Sequence, residues 1–119
     1  MNAFERIYAV ASTIPKGKVS TYQDIAKIAG IASPRFVGFA LHRNKNPRIV
    51  PCHRVVKSTG QLANGYAFGG PKIQEEKLRK EGIPFLSNKR VDLAKCLAEV
   101  LPYRFPRKGS AILKTHIHF

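Results

Sequence analysis

"TYQDIAKIAGIASPRFVGFALHR", residues 21–43, is the stretch that decides the fold. Ser20 or Thr21 offers a hydroxyl cap, and Thr21 with Asp24 three places on resembles a capping box with Asp in place of Glu. The helix begun there, about residues 22–29, stops at Gly30 in the usual C-terminal manner. Ser33-Pro34 follows almost at once: a hydroxyl cap, then proline at the first helical position. A further helix is expected over about residues 34–43, with Phe36, Val37, Ala40 and Leu41 facing inward. Two short helices joined by a tight glycine-containing turn make the helix-turn-helix pattern. The second helix of that motif lies in a nucleic-acid groove. Here it carries Arg35 near its start and His42 and Arg43 near its end. A plain helical hairpin inside a core has the same pattern.

Charge separates the two. The chain has 119 residues, enough for one small domain, and is 44% hydrophobic, as globular chains are. Its net charge is +14, a field that favours a polyanion, most often nucleic acid. After Asp24 no acidic residue occurs until Glu75, and that interval holds Lys27, Arg35, Arg43, Lys45, Arg48, Arg54, Lys57 and Lys72. So long an acid-free span reads as a face that meets phosphates. Two cysteines, Cys52 and Cys96, make no disulfide scaffold. No apolar run approaches the ~20 residues of a membrane span, and the start lacks the pattern of a secretory signal. An intracellular chain with reduced thiols is expected, in the cytoplasm or wherever the DNA lies, and with no membrane contact.

Working outward, Phe4, Ile7, Tyr8, Val10, Ala11 and Ile14 recur at helical spacing, so residues 3–14 read as an amphipathic helix closed by Pro15 and Gly17. Residues 18–22 read as a connection. Downstream, "NKNPRIVP" is a loop with two prolines, and "HRVVKSTGQLANGY" reads as two short extended segments around a Ser-Thr-Gly turn. Pro71 starts a helix to about Glu81, stopped by Gly82, and residues 91–100 suggest a last helix. The remaining tail has no clear period; residues 102–119 hold four basic residues and no acidic one. The expected fold is mainly α: a winged helix-turn-helix-like DNA-binding domain with short extended segments around Cys52. Residues 1–90 would form the DNA-binding and active-site part, and 91–119 a C-terminal helix and basic tail.

Inside "RIVPCHRVV", residues 48–56, Cys52 and His53 are adjacent. A thiolate is the reactive form of cysteine, and a nearby base or positive field favours it. Adjacency alone proves little, because neighbours in an extended chain point to opposite faces. A buried inert cysteine has the same sequence. A metal site built from Cys52, His53, Cys96, His116 and His118 matches no common zinc spacing.

The wider pattern is more specific. "PCHRV" preceded by "NKNPRIV" and "SPRFVGFAL", with "IPKGKVSTYQDIAKIAG", "GYAFGG" and "KLRKEG" in the same order, resembles the O6-alkylguanine-DNA alkyltransferase family over roughly residues 3–90. The resemblance implies direct reversal of DNA damage, in which a flipped-out O6-alkylguanine passes its alkyl group irreversibly to Cys52. It implies that His53 deprotonates Cys52 through a water, that Glu81 orients His53, and that Asn44 shapes the turn between recognition helix and active site. It further implies that Arg35 fills the space left by the flipped base, while Tyr22 presses on the neighbouring phosphate. Ser33 and Arg54 are expected beside them at the DNA. Tyr66 would line the guanine pocket, with Ala67, Val50 and Pro51 expected around it. No cofactor and no metal are implied. The expected partner is double-stranded DNA containing O6-alkylguanine, and the expected state is a monomer.

Three features depart from the family pattern. Familiar two-domain members carry an N-terminal domain, whereas here the resemblance begins at residue 3, so a minimal form is expected. Alkyltransferase-like proteins also lack that domain but replace the acceptor cysteine, commonly with tryptophan; this chain keeps Cys52. Ala67 stands where the family often has serine or arginine, leaving only a backbone N–H for the guanine oxygen. A sensor that holds damaged bases without reacting, for another repair pathway, is the competing function. The motifs also stop short of residues 91–119.

Overall fold

A computed structural model describes residues 1–98. Helix α1, Ala3–Ser12, begins at a reciprocal cap: the Asn2 side chain accepts from the Glu5 N–H at 2.8 Å, and Glu5 accepts from the Asn2 N–H at 3.3 Å. The helix ends two residues earlier than its apolar spacing suggests. Ile14 stays buried beyond the helix end, and the residue before a proline such as Pro15 is disfavoured in helix.

Strand β1 is only Ser20–Thr21, and it sits within the stretch read as a connection. It pairs in parallel with β2, Val55–Val56, matching Ser20 to Val55 and Thr21 to Val56. A parallel pair needs a long crossover. The two helices of the opening stretch supply it. Helix α2, Tyr22–Ala29, takes its cap from Thr21, whose hydroxyl accepts from the Asp24 N–H at 3.1 Å, and ends at Gly30 in the left-handed region at φ 71°. Helix α3, Pro34–His42, starts at Ser33, whose hydroxyl accepts from the Arg35 N–H at 3.2 Å. Helices α1, α2 and α3 bury Ile7, Ile25 and Val37 against one another, and Val50, Cys52 and Tyr66 close the same core.

Only the first of the two expected extended segments joins a ladder. After β2 the chain turns over residues 57–61, with the Lys57 N–H on the Gln61 carbonyl at 2.9 Å and the Gly60 N–H on the Lys57 carbonyl at 2.8 Å. Gly60 is required here: its φ is 86°, and a Cβ would lie 2.6 Å from the Val91 carbonyl oxygen. Helix α4, Gly70–Lys80, packs Leu78 into a second core with Val19, Val56, Ile83, Val91 and Cys96. The expected last helix shrinks to one turn, α5, Leu93–Cys96. Extended pairing displaces it on both sides: Val91 bridges Phe85, and Leu97 bridges Val19. The rest of that expected helix and the basic tail lie outside the described residues. Among the described residues no helix is long and apolar enough to cross a membrane.

Candidate active site

The reactive turn is fixed by side-chain bonds because it is too irregular to be fixed by a ladder. Asn44, 5% exposed, follows α3 directly. Its Oδ1 accepts from the Asn46 N–H at 3.0 Å, and its Nδ2 donates to the Val50 carbonyl at 2.8 Å and reaches Cys52 Sγ at 3.5 Å. One amide side chain thus shapes the loop and contacts the thiol. Residues Cys52–Arg54 form a single 3₁₀ turn, with Cys52 buried. Beneath it, the fully buried Gln74 of α4 donates to the carbonyls of His53 and Val55 and accepts from the Ala63 N–H, each at 3.0 Å. Sequence reading passed over Gln74. Its position seven residues before Glu81, on the same helical face, is the signal that identifies it.

Glu81 closes the end of α4. Its carboxylate lies 3.1 Å from His53 Nε2 and accepts two bonds from Arg54, at 2.9 and 2.6 Å. A carboxylate only accepts, so Nε2 carries the imidazole hydrogen and Nδ1 is the basic nitrogen. That Nδ1 is buried without a partner among the described residues. Arg54, expected at the DNA, is placed elsewhere: besides Glu81 it donates to the Ile14 carbonyl at 2.9 Å, so its guanidinium faces inward. It is a brace for the carboxylate.

Burial pushes the Cys52 thiol up, and the Asn44 bond, the backbone and the charge of Lys77 offset this only in part. The resting group is therefore the thiol, which needs a base. Burial pushes His53 down against the pull of Glu81, so the imidazole is neutral near pH 7 and able to accept a proton. Burial alone would raise Glu81, but hydrogen bonds from Arg54 and His53 outweigh it and hold the carboxyl below its ordinary range. Among the described residues no three metal-ligating side chains converge, and Cys52 and Cys96 belong to different cores. His116 and His118 lie outside the described residues.

A groove of about 630 Å³ runs between α3 and the 57–65 loop, with Arg35, Lys57, Gln23 and Thr59 on its walls. Tyr22, Gly38, His42 and Gly65 also belong to a much smaller pocket, about 20 Å³, that reaches Cys52, Tyr66 and Ala67. That volume holds about one water and no purine, so a base must part these side chains to enter. Tyr22, Tyr66, Ala67 and Cys52 thus line one small pocket. Arg35 is exposed on the groove, with Ser33 capping the helix beneath it. Val50 and Pro51 do not line the pocket. Val50 is fully buried in the main core, and Pro51 is buried as the residue that leads into the turn. Leu41 and His42 line the pocket in their place.

The sequence matches the family described as "6-O-methylguanine DNA methyltransferase, DNA binding domain" over residues 2–83. It is 45% identical over 78 residues to a methylated-DNA–protein-cysteine methyltransferase of Methanothermobacter thermautotrophicus, covering 66% of this chain and 43% of that protein. The chain thus spans under half the length of that relative. Among solved structures, S. pombe Atl1 in complex with damaged DNA containing O6-carboxymethylguanine superposes with a TM-score of 0.70 at 29% identity, over 82% of this chain and 94% of that one. Mycobacterium tuberculosis OGT in complex with DNA gives a TM-score of 0.63 at 31% identity, over 69% and 49%. With the helix-turn-helix, the Asn44–Cys52 contact and the His53–Glu81 pair in one small site, and with the match over residues 2–83, the chain belongs to the 6-O-methylguanine DNA methyltransferase family through its DNA-binding domain.

Proposed function

We propose that this protein repairs DNA by transferring the alkyl group of an O6-alkylguanine irreversibly to Cys52. The observation that carries the reading is the base left available beside the thiol. His53 is neutral, its Nε2 is held by Glu81, and its Nδ1 has no protein partner among the described residues. Nδ1, through a water, takes the proton of Cys52. The thiolate sulfur attacks the alkyl carbon, the bond from that carbon to O6 breaks, and guanine leaves with the electron pair. The product is a thioether, so each molecule acts once.

An O6-alkyl group inside a stacked duplex is out of reach of a thiol, so the nucleotide must be extruded, at a cost of a few kcal/mol. Tyr22 stands at the junction of groove and pocket, where a rotating nucleotide would pass. Arg35 stands on the groove beside it and fills the vacated stack. Phosphate contacts along the acid-free face give affinity without choosing a sequence, as damage surveillance requires. Intact-protein mass spectrometry after incubation with a duplex containing O6-methylguanine tests the reading. A gain of one methylene, about 14 Da, on Cys52 is expected from the group transferred. Modification mainly on Cys96, or none, overturns it.

A second reading is a sensor that binds the lesion and recruits another pathway. The likeness to the Atl1–DNA structure favours it, since that match extends over 82% of this chain against 69% for the methyltransferase complex. Ala67, without a hydroxyl for the guanine oxygen, points the same way. Stable binding of lesion DNA with no mass change on Cys52 would select this reading.

A further inference from the structure

We propose that Phe39 is a wedge, an aromatic side chain that α3 inserts between the bases of a duplex one helical turn from Arg35, bending the DNA beside the nucleotide to be extruded. This goes beyond the transfer chemistry and rests on the reading above only in taking α3 as the helix that meets DNA. Phe39 is 53% exposed, more than any other large apolar side chain among the described residues.

Its direction follows from helix geometry. At 3.6 residues per turn Val37 and Leu41 point within about 40° of each other, and Phe39, midway between them, points about 180° from their mean. Val37 and Leu41 are buried in the core, so Phe39 stands on the crest of the outward face. Arg35 and Arg43, both exposed, lie four residues before and after it, about 40° to either side. The Arg43 guanidinium lies 5.5 Å from the Phe39 ring centroid. The crest of α3 is thus cation, ring, cation over about 12 Å.

The ring is braced from the side. Phe36 and Phe4 each lie 6.1 Å from Phe39 by centroid and 5.4 Å from one another, and both pack against the main core. A lone exposed phenylalanine needs no explanation. A ring held upright on two others, with little rotamer freedom to lose, is prepared for a partner. Charge decides which partner. No acidic residue occurs on α3 or anywhere in residues 25–74. A second copy of the chain would set Arg35 and Arg43 against like charges. A duplex offers phosphates to both arginines and base faces to the ring between them. Apolar side chains inserted from a groove part base steps and kink the duplex by about 20–90°. The kink loosens the stack beside the lesion, and Arg35, about 6 Å back along α3, fills the gap once the nucleotide leaves. A wedge also feels which step it parts: pyrimidine–purine steps yield and A-tracts resist.

The chain has no tryptophan, so Phe39→Trp places a single fluorescent reporter at the wedge. Undamaged duplex should strongly quench its emission, as stacking on bases does. Phe39→Ala should bind undamaged duplex about tenfold more weakly, the loss of one stacking contact. It should also lose the bend, read by energy transfer between dyes on the two duplex ends. Phe39→Leu, still apolar and still a wedge, should keep most of the bend. Wild-type affinity should be about fivefold higher for duplexes rich in pyrimidine–purine steps than for A-tracts, and Phe39→Ala should erase that ratio. A Phe39→Trp variant that binds duplex without quenching, or a Phe39→Ala variant that binds and bends it like the wild type, overturns the proposal. So does a concentration-dependent rise in sedimentation mass without DNA that Phe39→Ala abolishes, since the patch would then face a second copy. A wild-type chain that bends DNA through Phe39 yet never gains mass on Cys52 would sink the alkyl-transfer reading alone and leave the wedge standing.

Discussion

The polar groups around Cys52 and the cations on the groove are built on opposite terms. In the first region the described side chains hold one another, with His53 Nδ1 alone left without a partner among the described residues: Asn44 binds the loop and the thiol, Gln74 makes three bonds under the turn, and Glu81 takes three contacts from His53 and Arg54. In the second, the side chains of Arg35 and Lys57 make no hydrogen bond or ion pair with any described residue. A buried polar network fixes geometry before a ligand arrives, since an unpaired member costs about 1–3 kcal/mol. Exposed cations hold no geometry and wait for phosphates. Chemistry is prebuilt in the one and affinity is left to encounter in the other, so substitutions should divide the same way.

The sharpest break is at the sulfur. Cys52→Ser should abolish alkyl transfer, read as loss of the mass increment, while duplex affinity stays within about twofold, because the groove lies on other residues. A large loss of binding would mean that the two regions are not separable.

Glu81→Gln comes next. Transfer should slow by about 10- to 100-fold through loss of the His53 partner. Folding should weaken by about 2–4 kcal/mol, because Arg54, with its side chain 17% exposed, keeps its charge and loses its carboxylate. The pH dependence has a definite sign. Folded His53 lies below its ordinary 6.5, so on acidification the unfolded chain takes that proton first. Folded Glu81 lies below its ordinary 4.5, so its contribution is present above that pH and is lost as pH falls through the folded value. Both make the protein acid-labile. Melting temperature followed from neutral pH downward should fall more steeply in Glu81→Gln between about 6.5 and 4.5, where His53 has lost the pull of Glu81, and less steeply below 4.5, where the carboxylate no longer titrates. An identical decline would remove Glu81 from the account.

Arg35 sharpens the comparison from the other side. Arg35→Ala should lower repair of paired O6-methylguanine about tenfold more than reaction with free O6-benzylguanine, since only the duplex substrate meets the cost of extrusion. Equal loss on both would make Arg35 a support of the fold.

The helix-turn-helix was legible because its signals are local: Thr21, Gly30 and Ser33-Pro34 each act within one turn of helix. The pocket tyrosines and the Cys52–His53–Glu81 set came from a motif. What stayed hidden depends on contacts between distant segments. Ser20–Thr21 is a strand only because Val55–Val56 lies alongside. The helix expected over residues 91–100 gave way where Val91 and Leu97 found extended partners. Arg54 looks like one more cation in an acid-free span until Glu81, twenty-seven residues on, folds back onto it. Val50 and Pro51 adjoin Cys52 in sequence, yet the tight turn sends them into the interior.

The smallest expected effect tests the groove by itself. Lys57 lies on the groove wall opposite α3, with no described partner to lose. Lys57→Ala should therefore leave melting temperature and benzyl transfer unchanged. Affinity for duplex DNA should fall about two- to threefold, alike for damaged and undamaged DNA, because a phosphate contact carries no information about the base. Wild-type affinity should decline steeply with salt, and the variant's slope on a log–log plot should be shallower by about one, the release of one counterion. A loss confined to damaged DNA would show that the 57–65 loop senses the flipped base, and the division between a prebuilt site and a passive face would then fail at this loop first.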